Sequence, residues 1–144
     1  VSELPVIEYG FFCEQIRVEA SGQITPIGIW GETYLVREAV PLIIPSLALH
    51  VFVRNPGRQA LRCTVTLSAH GQTAPLVMEA PIISHPEATS QNLNFNMAWV
   101  ELRAYGEVAA NVSINTVPPV TRQFRLRVAR HPEAAGGVAP GAAN

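Results

Sequence analysis

Leu61-Arg62-Cys63-Thr64-Val65-Thr66-Leu67-Ser68-Ala69-His70 is the stretch that decides the fold. Leu61, Cys63, Val65, Leu67 and Ala69 fall on one phase of a two-residue period, and Arg62, Thr64, Thr66, Ser68 and His70 on the other. Successive side chains of an extended chain point to opposite faces, so this strand has a dry side and a wet side. Burial on one face only is the mark of an antiparallel sheet, because parallel sheets are covered on both faces.

The same alternation recurs outward in both directions. Phe124, Leu126 and Val128 alternate with Gln123, Arg125 and Arg127. Val108, Ala110, Val112 and Ile114 alternate with Ala109, Asn111, Ser113 and Asn115. Leu93, Phe95, Met97 and Trp99 share one phase against Asn92, Asn94 and Asn96, which predicts a core position for Trp99. Residues 11–18 are noisier, with one end apolar on both phases. Ser21-Gly22-Gln23 then predicts a hairpin into residues 24–30, since Gly accepts positive φ. Residues 47–54 end at Asn55-Pro56-Gly57-Arg58, where Pro second and Gly third predict a type II turn. Residues 60–70 are expected to return beside 47–54 as the second arm of a hairpin. Residues 76–83 form a shorter run broken by Pro81, and Pro41 and Pro45 argue against a helix before residue 47.

About eight strands separated by turn residues predict an all-β chain, an antiparallel β-sandwich of Greek-key or immunoglobulin-like type. The domain is expected over residues 1–131. Residues 132–144 are rich in Ala, Gly and Pro without apolar periodicity and are expected to be a tail.

Charge narrows the chemistry. All ten basic residues are Arg and all eleven acidic residues are Glu, so Lys and Asp are absent from the 144 residues. A Schiff-base lysine, a P-loop lysine, an aspartyl nucleophile and an Asp-rich calcium loop are thereby excluded. The net charge of −1 gives no global attraction to nucleic acid or to an anionic membrane. There is no apolar run of spanning length, and Val1-Ser2-Glu3 does not open a signal peptide, so a cytoplasmic or virion location is expected. Cys13 and Cys63 stand in strand-like runs. They are expected as buried thiols, with a disulfide open only if their Cα atoms lie within about 7 Å.

No constellation points to turnover. His50, His70, His85 and His131 lack zinc-ligand spacing. His50 and His70 are expected on neighbouring strands and could approach, but a metal would need a further ligand. Ser84-His85-Pro86-Glu87 collects triad residue types in sequence, which is not triad geometry, and reads as a turn. Glu14 is the one carboxylate on an otherwise apolar phase, a weak signal for paired-carboxylate chemistry. Asn111-Val112-Ser113 matches a glycosylation triplet within a predicted strand. No catalytic residue, metal ligand or cofactor is therefore expected.

Two polar stripes remain as candidate contact surfaces. Asn92, Asn94 and Asn96 place three amides on one strand face, and Arg122, Arg125, Arg127 and Arg130 gather along the last strand. Arg is enriched and Lys depleted at protein interfaces, so both stripes suit protein–protein or glycan contacts.

Phe12-Cys13-Glu14-Gln15-Ile16-Arg17-Val18-Glu19, Gly22 and Ile24-Thr25-Pro26-Ile27-Gly28-Ile29 resemble the opening of an uncharacterised bacterial and prophage β-sandwich family. Pro41-Leu42 and the closing Phe124-Arg125-Leu126-Arg127-Val128 are similar too, so the likeness covers most of residues 10–129. Its motifs are structural, and it implies a sandwich without assigning catalytic residues. The expected role is a structural or assembly module, such as a phage head decoration or tail component in a homo- or hetero-oligomeric assembly of protein partners. The alternative is a ligand- or glycan-binding module using Trp30, Tyr34 or Trp99.

Overall fold

A computed structural model describes residues 3–69 and 74–132. Nine strands follow in chain order: β1 (Val6–Val18), β2 (Ile24–Ile29), β3 (Thr33–Val36), β4 (Leu42–Arg54), β5 (Leu61–Ala69), β6 (Leu76–Ile82), β7 (Ser90–Leu102), β8 (Gly106–Ile114) and β9 (Val120–Arg130). They form two sheets, one of four strands in the order β2-β1-β4-β7 and one of five in the order β3-β9-β8-β5-β6. The inner phases of both meet in one core containing Leu47, Leu49, Val51 and Val53 from β4, Cys63, Val65 and Leu67 from β5, and Leu126 and Val128 from β9. The fold is all-β and β-sandwich-like, and the deciding stretch does what its alternation predicts: Cys63, Val65 and Leu67 are fully buried.

The sheets approach most closely where β1 crosses β9. A side chain on Gly10 would put its Cβ 2.7 Å from Phe124 Cζ and 2.9 Å from the His50 carbonyl oxygen. Only hydrogen at that position lets the Phe124 ring lie against the β1 backbone. Arg122 closes the same seam. Its Nη1 donates to the Ile7 oxygen at 2.9 Å and the Glu8 oxygen at 2.7 Å, while its guanidinium stands 5.2 Å from the Phe124 ring centroid.

Several sequence expectations are corrected. The strands number nine among the described residues, and the sheets are not wholly antiparallel, because the short β3 pairs in parallel with β9. Four residues give too little alternation to register as a strand. Residues 47–54 and 60–70 are not a hairpin: β4 and β5 belong to different sheets. Asn55 directs that crossing, since its N–H donates to the Thr89 oxygen and its buried Nδ2 donates to the Gln59 oxygen at 2.7 Å. The turn does close, with the Arg58 N–H on the Asn55 oxygen at 3.0 Å. Positive φ falls at Arg58 (53°), however, one residue later than a type II turn requires. The β1–β2 hairpin stands as expected, with Gly22 at φ 89°.

Trp99 is the sharpest departure from the periodic pattern. It is 72% exposed and has φ 58°, where the alternation predicts a core residue. Pro45 lies opposite it on β4, in the gap between the pairs Ile44–Val100 and Ser46–Ala98. Both strands change phase there: burial passes from Leu47 to Ile44 on β4, and from Met97 to Val100 on β7. A proline cannot donate to the ladder, so a central strand tolerates it only where the pairing is irregular. The phase change turns Trp99 outward.

His70 and residues 133–144, which make up nearly all the expected tail, lie outside the described residues. The expected approach of His50 and His70 therefore falls outside the described residues, while the strands expected to be neighbours, β4 and β5, belong to different sheets.

Candidate contact face on the four-stranded sheet

Two strands of the four-stranded sheet are apolar on both phases, and the outer phase accumulates residues that an exposed sheet face seldom carries. Cross-strand partners on that face are Tyr9–Phe52, Phe11–His50 and Cys13–Ala48 between β1 and β4. Between β4 and β7 they are Phe52–Asn92, His50–Asn94 and Ala48–Asn96. Three rows therefore run across the strands, each carrying an amide on β7 beside aromatic or small side chains on β4 and β1.

Packing on this outer face is tight enough to bury residues that point away from the main core. Cys13, Ile16 and Ala48 form a second small cluster, with Phe11 and Ile24 against it. Ile16 joins Cys13 despite an odd spacing, so β1 changes phase between them. His50 is 1% exposed. Its ring centroid is 4.9 Å from that of Phe11 and 6.0 Å from that of Tyr9, and Tyr9 stacks on Phe52 at 5.1 Å. His50 Nδ1 lies 2.8 Å from Asn94 Oδ1. An amide oxygen can only accept, so Nδ1–H donates, and in the neutral ring Nε2 is left as an acceptor with no hydrogen-bond partner among the described residues. Around this buried centre stand exposed Tyr9 and, opposite Cys13 on β2, Ile29 at 58%. Charge appears toward the two ends of the face, where Arg54 Nε meets Glu8 Oε1 at 2.6 Å and Arg103 Nε meets Glu101 Oε1 at 2.7 Å.

The outer face of the five-stranded sheet has the opposite character. Arg62 pairs with Glu79 at 2.8 Å, and Arg125 with Glu107 at 3.4 Å. Thr64, Thr66, Ser113, Asn111 and Gln123 fill the space between. An open cleft of about 360 Å³ between Glu32, Thr33, Glu107, Arg125 and Arg127 is lined by both signs of charge.

The sequence-predicted stripes thus lie on different layers. Asn92, Asn94 and Asn96 belong to the aromatic face of the four-stranded sheet. Arg125 and Arg127 lie on the outer phase of β9 beside Glu107, whereas Arg122 ties β9 to β1 and the exposed Arg130 pairs with Val36 at the strand end. The structure does not gather the four arginines into one patch. Sequence reasoning passed over Tyr9, Phe11 and Phe52, and weighed His50 only as a metal ligand. The available signal was doubled apolarity: Phe11-Phe12-Cys13 and Leu47-Ala48-Leu49-His50-Val51-Phe52-Val53 leave no wet phase for an antiparallel strand.

Other candidates resolve into local structure. Cys13 and Cys63 are both buried free thiols, and burial pushes the Cys63 thiol up to about 11. His85 Nδ1 accepts the Glu87 N–H at 3.1 Å, which makes Ser84-His85-Pro86-Glu87 a closed turn. Glu14 is exposed and packs against Gly28. Asn111 Oδ1 accepts from Gln123 Nε2 at 2.8 Å within the β8–β9 pair. Trp30 and Tyr34 stack on one another at 4.2 Å and lean on the core. Among the described residues no group of three or more His, Cys, Asp or Glu side chains could hold a metal ion, and no helix is long and apolar enough to cross a membrane.

Fold and site together define a two-layer β-sandwich-like domain with one ionic outer face and one aromatic, nearly uncharged outer face. No known protein-family model matches the chain, and a search of curated proteins finds no match.

Proposed function

We propose that this chain is a non-enzymatic contact module that joins a protein assembly through the outer face of its four-stranded sheet. The observation that carries the reading is the asymmetry between the two faces. Interface cores are depleted of charge and enriched in aromatic residues, and that describes Tyr9, Phe11, Phe52 and Ile29 around buried His50 rather than the ion-paired opposite face. Partners are other protein chains, and neither nucleic acid nor membrane is invoked. The strand order supports an immunoglobulin-like, Greek-key description. With β1, β4, β5, β6, β7, β8 and β9 taken in turn as strands A, B, C, C′, E, F and G, one sheet reads ABE and the other GFCC′.

The resemblance of residues 10–129 to a bacterial and prophage sandwich family makes a phage particle the first assembly to test, with this chain as head decoration or tail component. The experiment is gradient sedimentation of purified particles with tagged chain. Wild type and Arg125→Ala co-sediment, and Tyr9→Arg does not. Equal co-sedimentation of Tyr9→Arg and wild type contradicts the proposed face.

Glycan binding is the second reading, favoured by one observation: Trp99 offers a largely exposed indole at the sheet margin. Binding on a glycan array that is lost in Trp99→Ala and retained in Tyr9→Arg supports it over the first.

A further inference from the structure

The face just described is also suited to itself. We infer that its occupant is a second copy of this chain, so that two four-stranded sheets stack outer face to outer face about a two-fold axis. The inference rests on the proposed contact reading and goes further by naming the partner.

Three observations carry it. The first is charge. A surface that meets its own copy must not oppose like charges, and here the rows from Tyr9 to Asn92, Phe11 to Asn94 and Cys13 to Asn96 contain no Arg or Glu. The ionic outer face of the other sheet, with Arg62, Glu79, Glu107 and Arg125, lacks this property.

The second is hydrogen bonding. A two-fold axis lying in the interface and crossing the strands sets each strand over its own copy, running the other way. The Asn92, Asn94 and Asn96 row then meets the same row of the other copy. Each amide carries donors and an acceptor, so an amide row complements itself as a row of carboxylates or guanidiniums would not. His50 Nε2, the acceptor left over once Nδ1 is committed to Asn94, finds amide donors in the same plane. Beside this polar row the Tyr9–Phe52 stack and Phe11 of each copy pack against their equivalents. Stacked sheets lie about 10 Å apart, the separation that interdigitating aromatic side chains fill.

The third is size. With β1, β4 and β7 each 13 residues long, the face covers roughly 700 Å² in plan at standard strand spacings. A standard interface buries about 800 Å² per partner. The whole face, rather than a corner of it, is required: the three uncharged rows at its centre, with the Glu8–Arg54 and Glu101–Arg103 ion pairs toward its two ends.

The test is sedimentation velocity on the full 144-residue chain over a concentration series, with three single substitutions. Tyr9→Arg and Ile29→Arg put a charge on the face at already exposed positions, and Val77→Arg puts one at a 56% exposed apolar position on β6, in the other sheet. Wild type and Val77→Arg are expected to sediment as dimers. Tyr9→Arg and Ile29→Arg are expected to dissociate at least 30-fold more readily, with far-ultraviolet circular dichroism unchanged to show that the sheet persists. Dimers that survive both face substitutions, or that Val77→Arg also dissolves, overturn the inference. So does a wild-type chain that stays monomeric at all concentrations. If Tyr9→Arg nevertheless loses the particle in the co-sedimentation assay, the face serves a different protein, and the contact reading stands while self-pairing falls.

Discussion

His50 Nδ1 and Asn94 Oδ1 meet at 2.8 Å across the β4–β7 pair, on the side of the sheet that faces away from the core. A histidine with 1% exposure on an outer face needs neighbours tall enough to cover it, and Phe11 and Tyr9 supply them. The bond commits one ring nitrogen and leaves the other for whatever lies above. Asn94→Ala removes the sole acceptor from a buried donor, so a loss of about 1–3 kcal/mol in unfolding free energy is expected. Urea denaturation measures it. A change below about 0.3 kcal/mol would mean that the pair is not closed in solution.

Gly10 and Phe124 form the second testable contact. Gly10→Ala drives a methyl group into the ring and the His50 carbonyl, at an expected cost of about 1–3 kcal/mol. Shortening the ring to leucine should recover part of it. A double-mutant cycle of Gly10→Ala and Phe124→Leu is therefore expected to be non-additive, with the double variant more stable than the sum of the singles predicts. Strict additivity would place the strain elsewhere.

Trp99 supplies a contrast with core aromatics. Truncating a buried tryptophan costs about 3–5 kcal/mol, whereas Trp99→Gly should change stability by no more than about 1 kcal/mol, because the side chain is solvated and glycine adopts φ 58° without strain. Thermal or urea unfolding of the variant tests this directly. In the wild-type chain the Trp99 indole should be readily quenched by iodide, and the Trp30 fluorescence left in the variant should be quenched less.

The Cys63 thiol gives a pH dependence with a definite sign. Burial raises it from 9.0 to about 11. Between those values the folded chain holds a proton that the unfolded chain has lost. The contribution is thus complete below pH 9 and disappears as pH rises toward 11. Cys63→Ala is expected to flatten the stability profile across that window, at the cost of a small cavity that lowers stability equally at every pH. A slope unchanged by the substitution would assign the alkaline loss to another group. Consistent with burial of both thiols, Ellman's reagent at pH 8 should label neither Cys13 nor Cys63 until denaturant is added.

The two layers and most of their strands are legible from alternation alone, because β5, β8 and the middle of β9 have one dry and one wet phase. The parts that escaped share a physical cause. β3 is short and takes its stability from parallel pairing with β9, which leaves no local signature. Trp99 obeys the period up to the point where Pro45 breaks the ladder, and a single residue in left-handed conformation then reverses its side. The crossing from β4 to β5 depends on Asn55 reaching Thr89, far along the chain. The candidate face divides in the same way. Its amide row was visible as Asn92, Asn94 and Asn96, whereas its aromatic half became visible only once β1 and β4 were known to be neighbours.

The central claim is that the aromatic side of the four-stranded sheet is covered in the working assembly. Side-chain radical footprinting of the chain, isolated at high dilution and in its assembled form, measures this most directly. Tyr9, Phe11, Phe52 and Ile29 should lose labelling on assembly, with Val77 on the opposite sheet labelled equally in both. Unchanged labelling of Tyr9 and Ile29, with protection appearing instead around Val77 and Arg125, would contradict the account.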